Sequence, residues 1–553
     1  MDQSQNSSPN IKQSFWRKWS PVLVLALALA IIIIDTTLLN VSLSYVIRDL
    51  NTDIQSIQWV ITAYSLTLAA LTITGGRLGD IFGRKKMFIL GAIIFAVGSF
   101  IASISQNVGT MIIGESIIEG IGAALMMPAT ASLLVSTYRG RDRAIAMGVW
   151  GGIAAASSAI GPILGGYLTA HYSWRWGFRI NVFVAALLIL LSVLIKGSHD
   201  REEKPSLDFP GVALSSLGLL ALVFGIIESE TYGWWKAKEV FVFFGHNLTL
   251  HGYSIVPISL LIGVILLTIF GLWQSRVAKK GQTPLVSLSL FKNGQFTSSV
   301  LVTAVMALGQ AGIIFSLPVF FQAVRGLDAY HTGLAFLPMS LTALFCAPLS
   351  AILGRKYTAK RIIQIGFAST VFSMFLIRQT LGVEADVVNF VPAMIFYGVG
   401  IGASMSLLSN MTLSAVSVDE AGEASGVTNT FRQLGSTLGS AIIGAALLTA
   451  LSTNLTNGVN DSKIIPATLK SQIVQAMSSQ SSNVEFGGGA KLGTQIPPKI
   501  AAEITTISHQ ATVDSNKVAI NYTFIFALLG LLFTFFLPNN RDLERYVPAS
   551  SGH

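Results

Sequence analysis

Three carboxylates stand inside long apolar stretches where charge is otherwise scarce: Asp35, Glu115 and Glu119. A charged carboxylate at the centre of a bilayer costs about 2.5 to 3.5 kcal/mol, so each is expected to face water or a partner and to bear function; for Asp35 the alternative is a static, hydrogen-bonded structural acid. Glu115 and Glu119 are four residues apart, which in an α-helix places them on one face, about 6 Å apart along the axis. For Glu115 a position in an outer aqueous vestibule is the competing expectation. Counting from helix ends at about 1.5 Å per residue brings Glu119 to the depth of Asp35. The result is a central acidic cluster suited to proton exchange and to cationic or zwitterionic ligands, because proton and ligand would compete for the same negative charge. Arg432 is a fourth charge at membrane depth, expected to turn inward toward a carboxylate or an anionic ligand, or to pair with Glu423 at a helix end. Trp59, Tyr64 and Trp150 are the aromatic residues expected to line an apolar cavity with capacity to stack on a cation.

The elements that must hold these side chains are set by composition. The chain has 553 residues, of which 52% are hydrophobic and 11% charged, whereas soluble proteins carry charge at about a quarter of positions. One globular core cannot cover so much apolar surface, but helices facing lipid need no polar cover. The net charge of +9 is spread as short basic clusters between apolar segments, the pattern of cytoplasmic loops in a membrane protein, not of a nucleic-acid surface. The lone Cys346 falls in an apolar segment and can form no internal disulfide. The polar start at Met1 to Ser20 is too hydrophilic for a cleaved signal, and the segment after it is long enough to span.

Fourteen segments reach the length of about 20 apolar residues that crosses hydrocarbon. The expected organisation is a cytoplasmic tail at 1–20, a six-helix bundle at 21–196, a linker with two inserted helices at 197–296, a second six-helix bundle at 297–538 and a cytoplasmic tail at 539–553. The fold class is therefore an all-α polytopic membrane protein, six plus two plus six. The basic clusters Arg84–Lys86, Arg139–Arg143 and Lys279–Lys280 place both termini inside under the positive-inside bias. Within the second bundle, 453–518 reads as a long polar external loop, and the two inserted helices are expected outside the bundles.

Two stretches read as conformational devices. The loop after the second span runs Gly76-Arg77-Leu78-Gly79-Asp80-Ile81-Phe82-Gly83-Arg84-Lys85-Lys86. Its glycines permit a tight reversal and close helix approach, and Asp80 can bond orphan amides or an arginine, for which Arg139 and Arg143 are the expected partners. The fifth span presents Ala154 to Ser158, Gly161, Gly165 and Gly166 as a small-residue face, with Pro162 preventing a straight rod. That face is expected to meet the tenth span, at Ala347, Pro348, Ser350, Ala351 and Gly354.

The G-x-L-x-D-x-x-G-R-[KR] loop resembles the signature of the major facilitator superfamily. Asp35-Thr36-Thr37-Leu38-Leu39-Asn40-Val41 in the first span, Gly161-Pro162-Ile163-Leu164-Gly165-Gly166 in the fifth, Trp174-Arg175-Trp176 with Ile180-Asn181 in the sixth, and Arg432-Gln433-Leu434-Gly435 in the thirteenth narrow the resemblance to the fourteen-span drug:proton antiporters (EmrB/QacA-like). The resemblance implies two six-helix bundles around a central cavity, export of small amphipathic substrates driven by the proton gradient without a cofactor, and a monomer in a bacterial-type inner membrane. It adds Asn40 to the cavity residues. It also exposes departures: Ser116 stands where the pattern has arginine, Glu119 where it has glutamine, Ser44 where it has proline and Ser157 where it has the first glycine of the fifth-span motif. Export of a lipid or endogenous metabolite is the runner-up, and a non-transporting scaffold or sensor the alternative of a different class. No phosphate-binding loop, metal-ligand spacing or nucleophile motif is present, so neither a nucleotide-driven pump nor an enzyme is expected.

Overall fold

A backbone in hydrocarbon must satisfy its own amides, and the apolar segments do so as fourteen long helices. The computed structural model describes residues 15–52, 54–195, 197, 207–238, 240–243, 246–248, 252–474 and 497–539. In chain order the helices are α1 (Phe15–Asp49), α2 (Ile54–Phe82), α3 (Arg84–Ser103), α4 (Val108–Thr137), α5 (Gly140–His171), α6 (Arg175–Leu191), α7 (Phe209–Ile227) and α8 (Ile255–Lys279). They continue as α9 (Gly294–Ala323), α10 (Leu337–Tyr357), α11 (Ala359–Thr380), α12 (Val387–Ser414), α13 (Ala421–Asp461) and α14 (Pro498–Phe533). Among the described residues, 13 of these are long and apolar enough to cross a membrane. The fourteenth, α5, has 32 residues but a short apolar run, Ile145–Ala154. Its small residues suit a helix that meets protein on several sides, packing on α1, α10 and α12.

Helices α1–α6 pack on one another, as do α9–α14, and the halves meet along α5 with α10 and along α2 with α13. The α5–α10 pairing is the expected one, but glycines N-terminal to the expected face make its close contacts: Gly148 lies on Pro348 and Ala351, and Gly152 on Leu344 and Ala347. The glycines of the Gly161–Gly166 motif divide between two neighbours. Gly161 and Gly165 lie against Thr37 and Leu38 of α1, within their own half, and only Gly166 reaches across, to the Tyr330 backbone.

One expectation is refined and one corrected. The inserted pair packs outside the two bundles, yet reaches the centre: α7 lies over the seam between α2 and α13, donates from Ser216 Oγ to the Ala70 carbonyl at 3.0 Å, and extends Ile227 into the central cavity. Asp208 caps α7 and accepts from Trp273 Nε1 at 2.9 Å and Gln274 Nε2 at 2.8 Å, which pins α8 to it. A small antiparallel hairpin, Phe241–Phe243 with His246–Leu248, follows α7, and Phe241 packs edge-on against Tyr232 and Phe224. The segment read as a polar loop is also largely helical. Helix α13 has 41 residues, about 62 Å at 1.5 Å per residue, roughly twice the thickness of hydrocarbon. Beyond the bundle Leu451, Leu455 and Val459 of α13 pack with Ile500 and Ile504 of α14 and with Ile465 of the segment after α13; residues 475–496 lie outside the described set.

At the end of the bundle opposite the basic loops, Asp49 ties α1 to α6. It accepts from Trp174 Nε1 at 3.0 Å and from Arg175, whose other amine donates to the Ser105 carbonyl at 2.7 Å. The hydrogen-bonded Arg175 guanidinium holds the Asp49 carboxyl below its usual 3.8. A lowered folded-state value means that the stabilisation is full well above pH 3.8 and is lost as pH falls through the folded value. Asp49→Asn should therefore lower the melting temperature of the detergent-solubilised protein at pH 7 and flatten its decline toward pH 3; a variant with the wild-type decline would remove Asp49 from that role.

Candidate functional site

The acidic cluster is assembled by three helices that are distant in sequence. Helix α4 changes its winding where it carries the acids: Ile112–Glu119 is a π-helix between two α-helical turns and runs, a wide winding that is found frequently at functional sites. Glycines seat this segment on α3, since a Cβ on Gly98 or Gly114 would strike the facing backbone. Ser116 Oγ donates to the Val60 carbonyl at 2.7 Å and anchors it to α2. From α6, Asn181 Nδ2 then donates to both Asp35 Oδ1 at 2.6 Å and Glu119 Oε1 at 3.1 Å. All three side chains are buried.

Asn181 belongs to the sixth-span motif and is not among the site residues expected from the sequence. A carboxamide at membrane depth was the available signal, but which acids it serves depends on helix packing. Among the described residues no donor reaches Asp35 Oδ2 or Glu119 Oε2; a proton on one carboxyl provides a donor to its neighbour, so the pair can hold a proton between them.

Beside the pair lies a cavity of about 380 Å³ between the halves, walled by Thr36 and Thr37 of α1, Tyr64 and Ser65 of α2, and Gln433 and Ser436 of α13. Glu115 lines it, as does Tyr64, whose hydroxyl has no partner. Asp35 and Glu119 are not among the lining residues. Trp59 instead packs on Phe224 of α7, ring centres 5.9 Å apart. Trp150 donates to Thr130 Oγ1 at 3.3 Å and, with Arg432, borders a separate space of about 30 Å³. Arg432 does not pair with Glu423: its Nη2 rests 3.5 Å from Met127 Sδ, while Glu423 accepts from the Ser287 backbone and lies 3.7 Å from Arg77. The side chain of Asn40 is outside the described set.

The signature loop joins the two halves at one end of the bundle. Asp80 Oδ1 accepts from Arg84 Nε at 3.1 Å and Nη2 at 2.9 Å, and its Oδ2 accepts the Glu423 backbone N–H at 2.9 Å. A carboxylate of one half thereby caps the N-terminus of α13 in the other, where unsatisfied amides and the helix dipole favour an anion. Arg84 completes the link by donating to the Val418 and Asp419 carbonyls. The expected partners are not used: Arg139 is exposed, and Arg143 Nε and Nη2 have no hydrogen-bond partner. Gly83, at φ +100°, makes the reversal that returns Arg84 to Asp80. Gly76 lies against Gly422 so closely that an added Cβ would enter the Gly422 carbonyl.

Two helical halves around a polar cavity, latched at one end and holding buried acids at mid-depth, define a polytopic membrane carrier. Residues 25–440 match the Major Facilitator Superfamily, and the chain belongs to that family; it is a transporter, not an enzyme. It is 30% identical over 444 residues to the puromycin resistance protein pur8 of Streptomyces alboniger, covering 80% of this chain and 83% of that one. It is 27% identical over 544 residues to the tetracenomycin C resistance and export protein of Streptomyces glaucescens, covering 97% and 95%, and 27% identical over 518 residues to the multidrug efflux pump LfrA of Mycolicibacterium smegmatis, covering 92% and 94%. The fold is similar to that of the human organic anion transporter MFSD10 (TETRAN), with a TM-score of 0.56 at 12% identity over 94% of this chain and 99% of that one.

Replacing Gly76 by leucine should hold the α2–α13 seam open. The expected outcome is at least a tenfold loss of transport rate in vesicles with normal membrane insertion, and wild-type transport would show that the seam need not close.

Proposed function

We propose that the chain is a proton-driven exporter of amphipathic, cationic or zwitterionic small molecules, working by alternating access in a bacterial-type inner membrane with both termini cytoplasmic. The observation that carries this reading is the buried Asp35–Asn181–Glu119 group set directly behind a cavity that runs between the two halves. Relatives described as resistance, export and efflux proteins support the direction of transport. The basic loops flank the latched end, and the positive-inside bias puts that end in the cytoplasm. With the latch closed, the cavity then serves the external face.

In this cycle, cargo enters from the cytoplasm or inner leaflet when the α2–α13 seam parts. Once the seam closes and the external end opens, a proton reaches Asp35 or Glu119, relieves the repulsion between the two carboxylates and weakens the field that held the cargo. Return of the empty carrier delivers the proton inside. The cycle runs in a monomer, and the proton gradient is its energy source in place of a cofactor.

Dye movement by the purified protein in vesicles, with and without a pH gradient, tests the reading. Wild-type protein should move a cationic dye only with the gradient, and Asp35→Asn should lower that rate at least 100-fold while inserting normally. Gradient-independent dye movement, or wild-type turnover in Asp35→Asn, would reject it.

A further inference from the structure

We propose that Glu115 is the side chain that meets the positive charge of the cargo, and that the Asp35–Glu119 pair is held back from cargo contact; this rests on the export reading above. The three acids occupy two environments. Asp35 and Glu119 share the Asn181 carboxamide and are absent from the cavity wall. Glu115 lines the cavity, is 3% exposed, and its Oε2 has no hydrogen-bond donor.

Among the described residues, Glu115 forms no ion pair, and the cavity wall contains no lysine, arginine or histidine. A buried carboxylate without a donor or counter-ion is costly, and a cation arriving through the cavity would supply both. The rest of the wall is suited to the body of such a molecule: hydroxyls at Thr36, Thr62, Ser65 and Ser436 alternate with Leu39, Ile61 and Leu68, in a volume of about 380 Å³, within the size range of small-molecule pockets.

The local fold makes this division. Within the π-helical segment Glu115 lies on the cavity side and Glu119 against α1 and α6. Ser116, bonded to the Val60 carbonyl, holds the winding in place. A short hydroxyl at 116 also brings no positive charge beside Glu115, so the carboxylate stays available to a cation from outside.

The test compares tetraphenylphosphonium, a permanent cation, with neutral triphenylphosphine oxide, by calorimetric binding to the purified full chain. Glu115→Gln should raise the Kd for the cation about 30-fold, as expected for one lost charged contact, and change that of the neutral compound by less than about twofold. Asp35→Asn, which removes a charge behind the wall and not on it, should raise the cation Kd by clearly less than Glu115→Gln does. Glu115→Asp, which keeps the charge, should retain the preference for the cation and provides the reading if the glutamine variant does not insert. Equal effects of Glu115→Gln on both compounds, no effect on either, loss of cation binding in Asp35→Asn as large as in Glu115→Gln, or loss of the preference in Glu115→Asp would each overturn the proposal. Cation binding through Glu115 without gradient-driven dye movement would instead reject the export reading and leave this assignment standing. Gradient-driven movement with unchanged binding in Glu115→Gln would do the reverse.

Discussion

A carboxyl surrounded by apolar helices must find a hydrogen-bond donor, a counter-ion or a proton, and the centre of this protein is arranged around that requirement. The donor is a single carboxamide. Asn181 bonds one oxygen of Asp35 and one of Glu119, leaving an oxygen on each acid without a protein donor. Were each acid given its own full set of donors, the charges would be permanently satisfied and protonation would bring no gain. Partial satisfaction is what leaves the pair responsive to a proton.

The same chemistry is resolved differently at the latched end. Asp80 has two kinds of donor, the Arg84 guanidinium and the Glu423 amide at the start of α13, and both its oxygens are engaged. Because one of these partners belongs to the opposite half, the bond exists only while α2 and α13 are together. Glu423 and Arg77, both buried at the same seam, add a second attraction across it. Charges buried this way are strongly bound together when closed and costly when separated without water, which favours two discrete arrangements over a continuum. The inserted helix α7 lies over this seam and shields it laterally from lipid.

Much of this architecture was legible in the residues. Apolar segment lengths require fourteen helices because an unpaired backbone amide is too costly in hydrocarbon, and the helices fall where those segments do. The small residues of α5 require a close neighbour, and α10 lies there. The equal depth of Asp35 and Glu119 was readable too, and one amide joins them. Even the helical excursion past the membrane had a readable signal, since Leu451, Leu455 and Val459 repeat at four-residue spacing and Ile500 and Ile504 do the same on α14; the surrounding polar residues masked it.

What tertiary structure alone decided is partnership. Asp80 takes Arg84 and the α13 terminus in preference to Arg139 and Arg143, Arg432 rests on Met127 in place of Glu423, and Trp59 turns to Phe224 and away from the cavity. The physical reason is common to all three. Depth in the membrane follows from position along one helix, which a sequence specifies at 1.5 Å per residue, whereas the direction a side chain faces depends on the rotation and winding of each helix against its neighbours. At Ile112–Glu119 the winding itself departs from the α-helix, and only the packing around that segment sets Glu115 on the cavity wall and Glu119 against Asn181.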